Sequence, residues 1–529
     1  MDEVHDECGV AAIYHLPGRE ISPLCPPQGP EQVSRLMPRM LLDVQNRGQL
    51  STGMTSFNPD RNKLLDTYRK LGTVSEAFRL NHRGKAEAIA RQFTGRAAIG
   101  HVRYATCGED DVTYAQPFER HHLQKHKWFS FAFNGQLANY AALRDKLLAE
   151  DDHHLTRSTD TEIIMHQISR ELSGDRRPGL VDMMRELSQQ FDGAYSLALL
   201  NAQGEMLIAR DPLGVKPMSY AIEGPLLAAA SESVALLNLG FQPESIHSLE
   251  PGAAITVVDN QFSLERFSDN ASRAHCFFEW VYFANVASTM DDRSVYLSRK
   301  ALGEELARME TVPKGDDLVV VPVPDTSKAA ADAMAYSLGI PCVEGLIRNR
   351  YAGRTFIEGG AGRVAKAAAK YTPLPEVLAG KRVLLVEDSI VRSTTMRVLL
   401  DRIREVGGAK EIHVRVACPP IIAPCFYGID MSRISELFAP PFVAKGQPSE
   451  EMFAEMAAEL GADSLRYLPV EAISRAIQKP ADQLCRACVT GDYPTPCGQR
   501  LYSIALDNYQ NHADSTAERT YEAAATTAG

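Results

Sequence analysis

The chain has 529 residues, with 67 Asp and Glu against 56 Lys and Arg, for a formal charge of −11. At roughly 150 residues per domain, this length allows about three domains or two large ones. A composition of 45% hydrophobic and 23% charged residues is that of a folded chain, the acidic balance gives no footprint for nucleic acid, and no stretch offers the roughly 18 consecutive apolar residues of a membrane span.

Residues 1–7 are acidic and lack the basic and apolar regions of a signal peptide, so a cytoplasmic protein is expected. Ten cysteines are too sparse for a disulfide scaffold. Residues 8–240 carry short apolar runs broken by Gly, Asn and Pro, with helical patterns at about 31–45, 140–150 and 160–173. That grammar predicts an α+β layered domain. The domain boundary is expected between 240 and 275, around Glu250-Pro251-Gly252. Beyond it, Leu318 to Val323 and Val383 to Val386 are continuous aliphatic runs, each followed by a polar loop and a helical stretch. Such runs fit strands of a parallel sheet covered on both faces, over about 270–470. Residues 471–510 form a third region holding the pair Cys485 and Cys488, and the Ala/Thr-rich residues 511–529 are expected to be a disordered tail.

The first chemical constellation begins at Cys8-Gly9. If residues 1–7 are a propeptide removed after Glu7, Cys8 gains a free α-amine, with a reference pKa of about 7.7–8.0, able to act as base for its own thiol. Asn46-Arg47-Gly48-Gln49, Gly100 to Thr106, Phe133-Asn134-Gly135, Ser158 to Glu162 and Ala209 to Gly214 follow in order. Together these segments resemble the class II glutamine amidotransferases. The resemblance implies an N-terminal-nucleophile αββα fold with Cys8 as nucleophile and Asn134 and Gly135 as oxyanion donors. It also implies Arg103 for the carboxylate of glutamine and Asp160 for its ammonium. Leu50 departs from the family's pattern, which has a carboxylate there.

The second constellation is Val383-Leu384-Leu385-Val386-Glu387-Asp388-Ser389-Ile390-Val391-Arg392-Ser393-Thr394-Thr395. Two carboxylates at a strand end can accept hydrogen bonds from vicinal ribose hydroxyls, and the loop amides and hydroxyls opening a helix can bind a phosphate. The segment resembles the signature of type I phosphoribosyltransferases, an α/β fold with a parallel sheet. By that resemblance Asp325, Thr326 and Ser327 hold pyrophosphate, and Arg348 and Arg354 belong to a loop, 347–357, closing over phosphoribosyl diphosphate. Glu387, Asp388, Ser389, Arg392, Ser393, Thr394 and Thr395 complete the site, with Mg²⁺ on Thr326, Glu387 and Asp388. Ser393 stands where the family commonly has Gly, and 358–372 is reworked.

The two halves together resemble the amidophosphoribosyltransferase family. The implied reaction converts L-glutamine, phosphoribosyl diphosphate and water to 5-phosphoribosylamine, pyrophosphate and L-glutamate, the first committed step of de novo purine biosynthesis. The alternatives are a diverged phosphoribosyl-diphosphate-binding regulator and a stand-alone glutaminase. The resemblance also implies purine-nucleotide feedback inhibitors and a homo-oligomer, a tetramer. Cys485 and Cys488 form a chelating pair whose spacing leaves a Cys₄ zinc site and an iron–sulfur cluster equally open. Resemblance to the cluster-bearing branch implies a [4Fe-4S] cluster on Cys276, Cys425, Cys485 and Cys488.

Overall fold

Gly9–His15 is apolar up to its last residue, and in a computed structural model it is buried along its whole length, mid-sheet with both faces covered. The structure describes residues 8–18, 20–104, 111–150, 154–157, 159–349, 370–431, 433–443 and 449–511. Gly9–His15 pairs antiparallel with Ala97–Arg103 on one side and Leu226–Ala230 on the other, within a seven-stranded sheet. Because strand side chains alternate, Val10 and Ala12 face a second, six-stranded sheet and meet Ala198, Leu200 and Ile208. Ala11 and Ile13 face outward, under Met37, Met40 and Leu41 of the helix Met37–Asp43. The second sheet centres on Phe129–Leu137 and Gly193–Asn201, and its outer face is covered by Asp160–Glu171 and Leu180–Gln190. Two antiparallel sheets lie face to face between helices, which is the expected αββα order.

This domain extends past the expected end at 240. The hairpin Ala253–Val258 and Gln261–Arg266 completes the six-stranded sheet, with Ile255 and Val257 in the inter-sheet core. Glu250-Pro251-Gly252 is therefore a turn within the domain, with Gly252 at φ 73°, and not a linker.

The second half is built on four parallel strands in the order Leu318–Pro322, Arg382–Glu387, Glu411–Val416 and Ser464–Tyr467. Helices such as Val295–Met309, Lys328–Leu338 and Ser393–Glu405 cover them. The expected third region joins this core: Val489, Leu501 and Ala505 pack into it, and Leu484–Cys485 pairs in parallel with His275–Cys276. Among the described residues, no helix is long and apolar enough to cross a membrane. Residues 1–7 and 512–529 lie outside those described.

Candidate active site

Strand register sets the first site. Gly9 is opposite Val102, so Cys8 and Arg103 emerge at the same end of the sheet. The Cys8 thiol lies 3.5 Å from the carbonyl oxygen of Tyr104 and donates to it. Burial pushes that thiol up from its ordinary pKa, opposed by the positive charges of Arg103 and Lys216, while Asp160 adds to the rise. Arg103 is 4% exposed and its guanidinium lies 5.5 Å from the centre of the Tyr114 ring.

Asn134 and Gly135 arrive from the opposite sheet, on Phe129–Leu137. Gly135 has φ 151°, and a Cβ there would fall 1.9 Å from the carbonyl oxygen of Ala194, so no larger residue fits. The Asn134 amide nitrogen donates to Ser231 Oγ at 3.4 Å, while its Oδ1 is buried without a hydrogen-bond partner among the described residues. Ser231 Oγ also accepts from the Val10 N–H at 3.0 Å, tying the strand that follows Cys8 to the Asn134 side chain. His101 is buried and held neutral, its pKa lowered to about 3, so its Nε2–H donates to the Phe133 carbonyl at 3.1 Å. Asp160 opens its helix and accepts from the Leu137 N–H at 3.3 Å; burial raises its pKa to about 6.

Sequence reasoning missed Lys216, Ser231 and His101. Lys216 is 1% exposed and carried no local signal beyond its place after Gly214. The departure at Leu50 is absorbed by backbone: its N–H donates to the Arg103 carbonyl and its carbonyl accepts from Gly72. The buried Arg47 takes its carboxylate partners from Glu232 and Glu279.

The second site lies at the C-terminal edge of the parallel sheet. Leu318–Pro322 and Arg382–Glu387 are adjacent and parallel, so the loops following them meet. Thr326 donates its hydroxyl to Asp388 Oδ2, and Ser389 donates to Oδ1 at 2.6 Å. Glu387 Oε2 and Ser327 Oγ are buried with no hydrogen-bond partner among the described residues. Burial first, and then the charge of Asp388, pushes the Glu387 carboxyl well above the usual range, with Lys370 opposing. Asp388 is also raised by burial, against Arg299 and Lys370, and Lys370 is lowered to about 8 by its own burial. Neither Arg299 nor Lys370 was singled out from the sequence.

The helix Ser393–Glu405 begins at Ser393 in helical geometry, so the serine that replaces glycine there needs no left-handed backbone. Thr394 and Thr395 lie in its first turn. Arg392 directs its guanidinium to Glu436 at 2.7 Å and to the Asp430 carbonyl at 3.4 Å. Arg348 pairs with Asp325 at 2.9 Å. Arg354 and positions 350–369 lie outside the described residues.

The cysteines form a third cluster. Cys276 and Cys485 are register partners in the short parallel pair, and the Cys488 carbonyl accepts from the N–H groups of Ile422 and Ala423 in the chain leading to Cys425. Burial raises the Cys488 thiol, and the charges of Cys425 and Cys485 raise it further. Tyr493, buried beside Cys425 and Cys488, donates its hydroxyl to the Pro424 carbonyl. Among the described residues no three His, Cys, Asp or Glu side chains surround a point suited to a single ion. A polynuclear cluster sets its thiolates around several atoms, a wider arrangement than one ion demands.

A glutamine amidotransferase domain model matches residues 62–250, and a phosphoribosyl transferase domain model matches 303–421. The amidophosphoribosyltransferase of Methanothermobacter thermautotrophicus is 39% identical over 495 residues, covering 93% of this chain and 96% of that protein. That of Bacillus subtilis is 35% identical over 497 residues, covering 93% and 95%. The solved B. subtilis glutamine phosphoribosylpyrophosphate amidotransferase, complexed with ADP and GMP, aligns with a TM-score of 0.77 at 33% identity, covering 93% of this chain and 98% of that one.

Proposed function

The chain belongs to the amidophosphoribosyltransferase family and is a glutamine-dependent transferase of purine biosynthesis; on that premise we propose how its residues divide the reaction. Cys8 attacks the amide carbon of glutamine once removal of residues 1–7 frees its α-amine to take the thiol proton. Arg103 receives the substrate carboxylate and Asp160 its ammonium, which orients the amide over the sulfur. The Asn134 side chain and the Gly135 N–H stabilise the tetrahedral oxyanion. Collapse expels ammonia, and water then releases glutamate from the thioester. His101 and Ser231 act as supports, fixing the strand that carries Asn134.

At the second site, Glu387 and Asp388 bind the ribose hydroxyls. Asp325, Thr326 and Ser327, with the amides and hydroxyls of Ser389, Ser393, Thr394 and Thr395, bind phosphate oxygens. The unpaired Glu387 Oε2 and Ser327 Oγ suit a bound cation and phosphate. Mg²⁺, held through Thr326, Glu387 and Asp388, would supply charge neutralisation of the pyrophosphate leaving group. Arg348 and Arg354 would add positive charge as ammonia attacks ribose C1. The observation carrying this reading is the strand register that brings the half-buried Cys8 and Arg103 to one sheet end, on the same chain as the adjacent acids Glu387 and Asp388 at the end of a parallel strand.

Cys276, Cys425, Cys485 and Cys488 suit a [4Fe-4S] cluster in being buried or half-buried, with Cys276 in register with Cys485 and the chain leading to Cys425 bonded to Cys488. Joining the start of the second domain to its sheet and C-terminal region, the cluster would serve structure. Anaerobically purified protein should be brown, with about four irons per chain, whereas colourless protein with one zinc would overturn the cluster and keep the ligand set. Because the similar B. subtilis enzyme was solved with ADP and GMP, purine nucleotides are proposed as feedback ligands. A cytoplasmic homo-oligomer, a tetramer, is proposed on resemblance. The test of function is glutamine-dependent pyrophosphate release from phosphoribosyl diphosphate, with free ammonia as control. Turnover with neither nitrogen source would overturn the reading.

A further inference from the structure

Between the two sites lies one carboxylate whose oxygens are divided between the two domains. Glu232 is fully buried at the junction. Its Oε1 accepts from Asn46 Nδ2 and Arg47 Nε, both at 2.8 Å and both from the glutaminase domain. Its Oε2 accepts from the Asn285 N–H at 2.7 Å and Ser288 Oγ at 2.8 Å, both at the start of the second domain. The flanking serines are divided in the same way. Ser231 holds Val10 and Asn134, while Ser233 Oγ accepts from the Thr289 N–H at 2.8 Å.

Each side leads to chemistry. On the glutaminase side, Arg47 lies beneath Gly9, where a Cβ would come within 3.4 Å of its Cδ, one residue from the nucleophile. Ser231, covalently next to Glu232, holds the oxyanion amide. On the other side, Asn285 and Ser288 follow the turn Glu279–Phe283, whose neighbourhood Arg299 grips through the carbonyls of Trp280, Tyr282 and Ala284 at 2.7–2.9 Å. The charge of Arg299 acts on Asp388, Glu232 and Glu279 together. A buried carboxylate with all four acceptor directions filled is rigid, and a shift of either domain must strain or break its bonds to the other.

We propose that Glu232 is a positioning residue for glutamine hydrolysis, which ties the placement of the Asn134 oxyanion donor and of the Cys8 strand to the seating of the second domain. This rests on the functional reading above. Removing the divided carboxylate should loosen the oxyanion geometry while leaving the Arg103 and Asp160 contacts for glutamine, and the whole phosphoribosyl site, in place. Glu232 would then govern the turnover of bound glutamine and not its capture.

Glu232→Gln makes the test, because its amide nitrogen must face two donors and gives up the grip on one domain at nearly constant volume. On the full chain, with phosphoribosyl diphosphate and Mg²⁺, kcat with glutamine should fall by about tenfold or more, in the range for a displaced oxyanion donor. The KM for glutamine should stay within about threefold and the ammonia-supported rate within about twofold of wild type, the split expected when an interaction of the transition state alone is lost. Should the variant fail to fold, Ser288→Ala removes one donor to Oε2 and should show the same split at about threefold. Equal losses with both nitrogen sources, a loss carried by KM alone, or no loss would overturn the proposal. A wild-type chain inactive with glutamine and with ammonia would instead overturn the functional reading.

Discussion

At the glutaminase site the charges come as opposites. Arg103 and Asp160 flank Cys8, Asp160 already accepts a backbone N–H, and the strand register alone brings nucleophile and cation to one sheet end. At the phosphoribosyl site two acids of like sign stand side by side, Asp388 buried and Glu387 half-buried, and both carboxyls are raised. One site is assembled by backbone and needs only its small zwitterion. The other concentrates negative charge that cations must relieve. The contrast fits their substrates: glutamine is neutral overall, whereas phosphoribosyl diphosphate is a polyanion, for which the proposed Mg²⁺ would supply the relief.

The sharpest way to separate the two is to damage one at a time. Asn134→Ala should lower kcat for glutamine by about 10²–10³-fold, the loss of one oxyanion donor, and leave the ammonia-supported rate intact. A loss with ammonia as well would mean that Asn134 supports the fold and not the oxyanion. Asp388→Asn removes a charged acceptor and should weaken phosphoribosyl diphosphate binding by about 1.5–3 kcal/mol, roughly 10- to 150-fold. Here both nitrogen sources should suffer alike, and a defect confined to glutamine would place Asp388 in the wrong reaction.

A smaller effect distinguishes the two acidic settings by pH. Asp160 titrates near 6 because burial disfavours its charged form. On the proposed role, it would be ionised above that pH and attract the ammonium of glutamine; below it the carboxyl would be neutral and the attraction lost. The kcat/KM for glutamine hydrolysis, already falling as the α-amine of Cys8 is protonated, should therefore steepen by a further factor of about ten per unit as pH drops below 6. Asp160→Asn should be weak throughout and should lose this inflection. An unchanged inflection in the variant would assign it to another group.

Local patterns made the two motif clusters legible in the sequence, because a strand end followed by a polar loop carries its chemistry within a dozen residues. The aliphatic run 383–386 before Glu387 and Asp388 is of this kind, and the segments from Cys8 to Asp160, each short, were legible through their order along the chain. What escaped was contributed by residues far apart along the chain. Glu232 pairs with Arg47 across 185 positions, Ser231 reaches Val10 across 221, and Arg299 acts on Asp388 from a helix with no motif of its own. The hairpin Ala253–Val258 and Gln261–Arg266 was missed for a different reason. Pro251-Gly252 reads as a linker until its strands are seen to finish a sheet begun at Phe118–Arg120.

The claim that one chain houses a separable glutaminase and a shared phosphoribosyl site is met most directly by Cys8→Ala assayed for pyrophosphate release with each nitrogen source. The nucleophile lies in one domain and the acids in the other, so glutamine-supported release should drop by at least about 10³-fold. Release supported by free ammonia should stay near the wild-type rate. Loss of both activities in folded protein, or full retention of the glutamine reaction, would contradict the account.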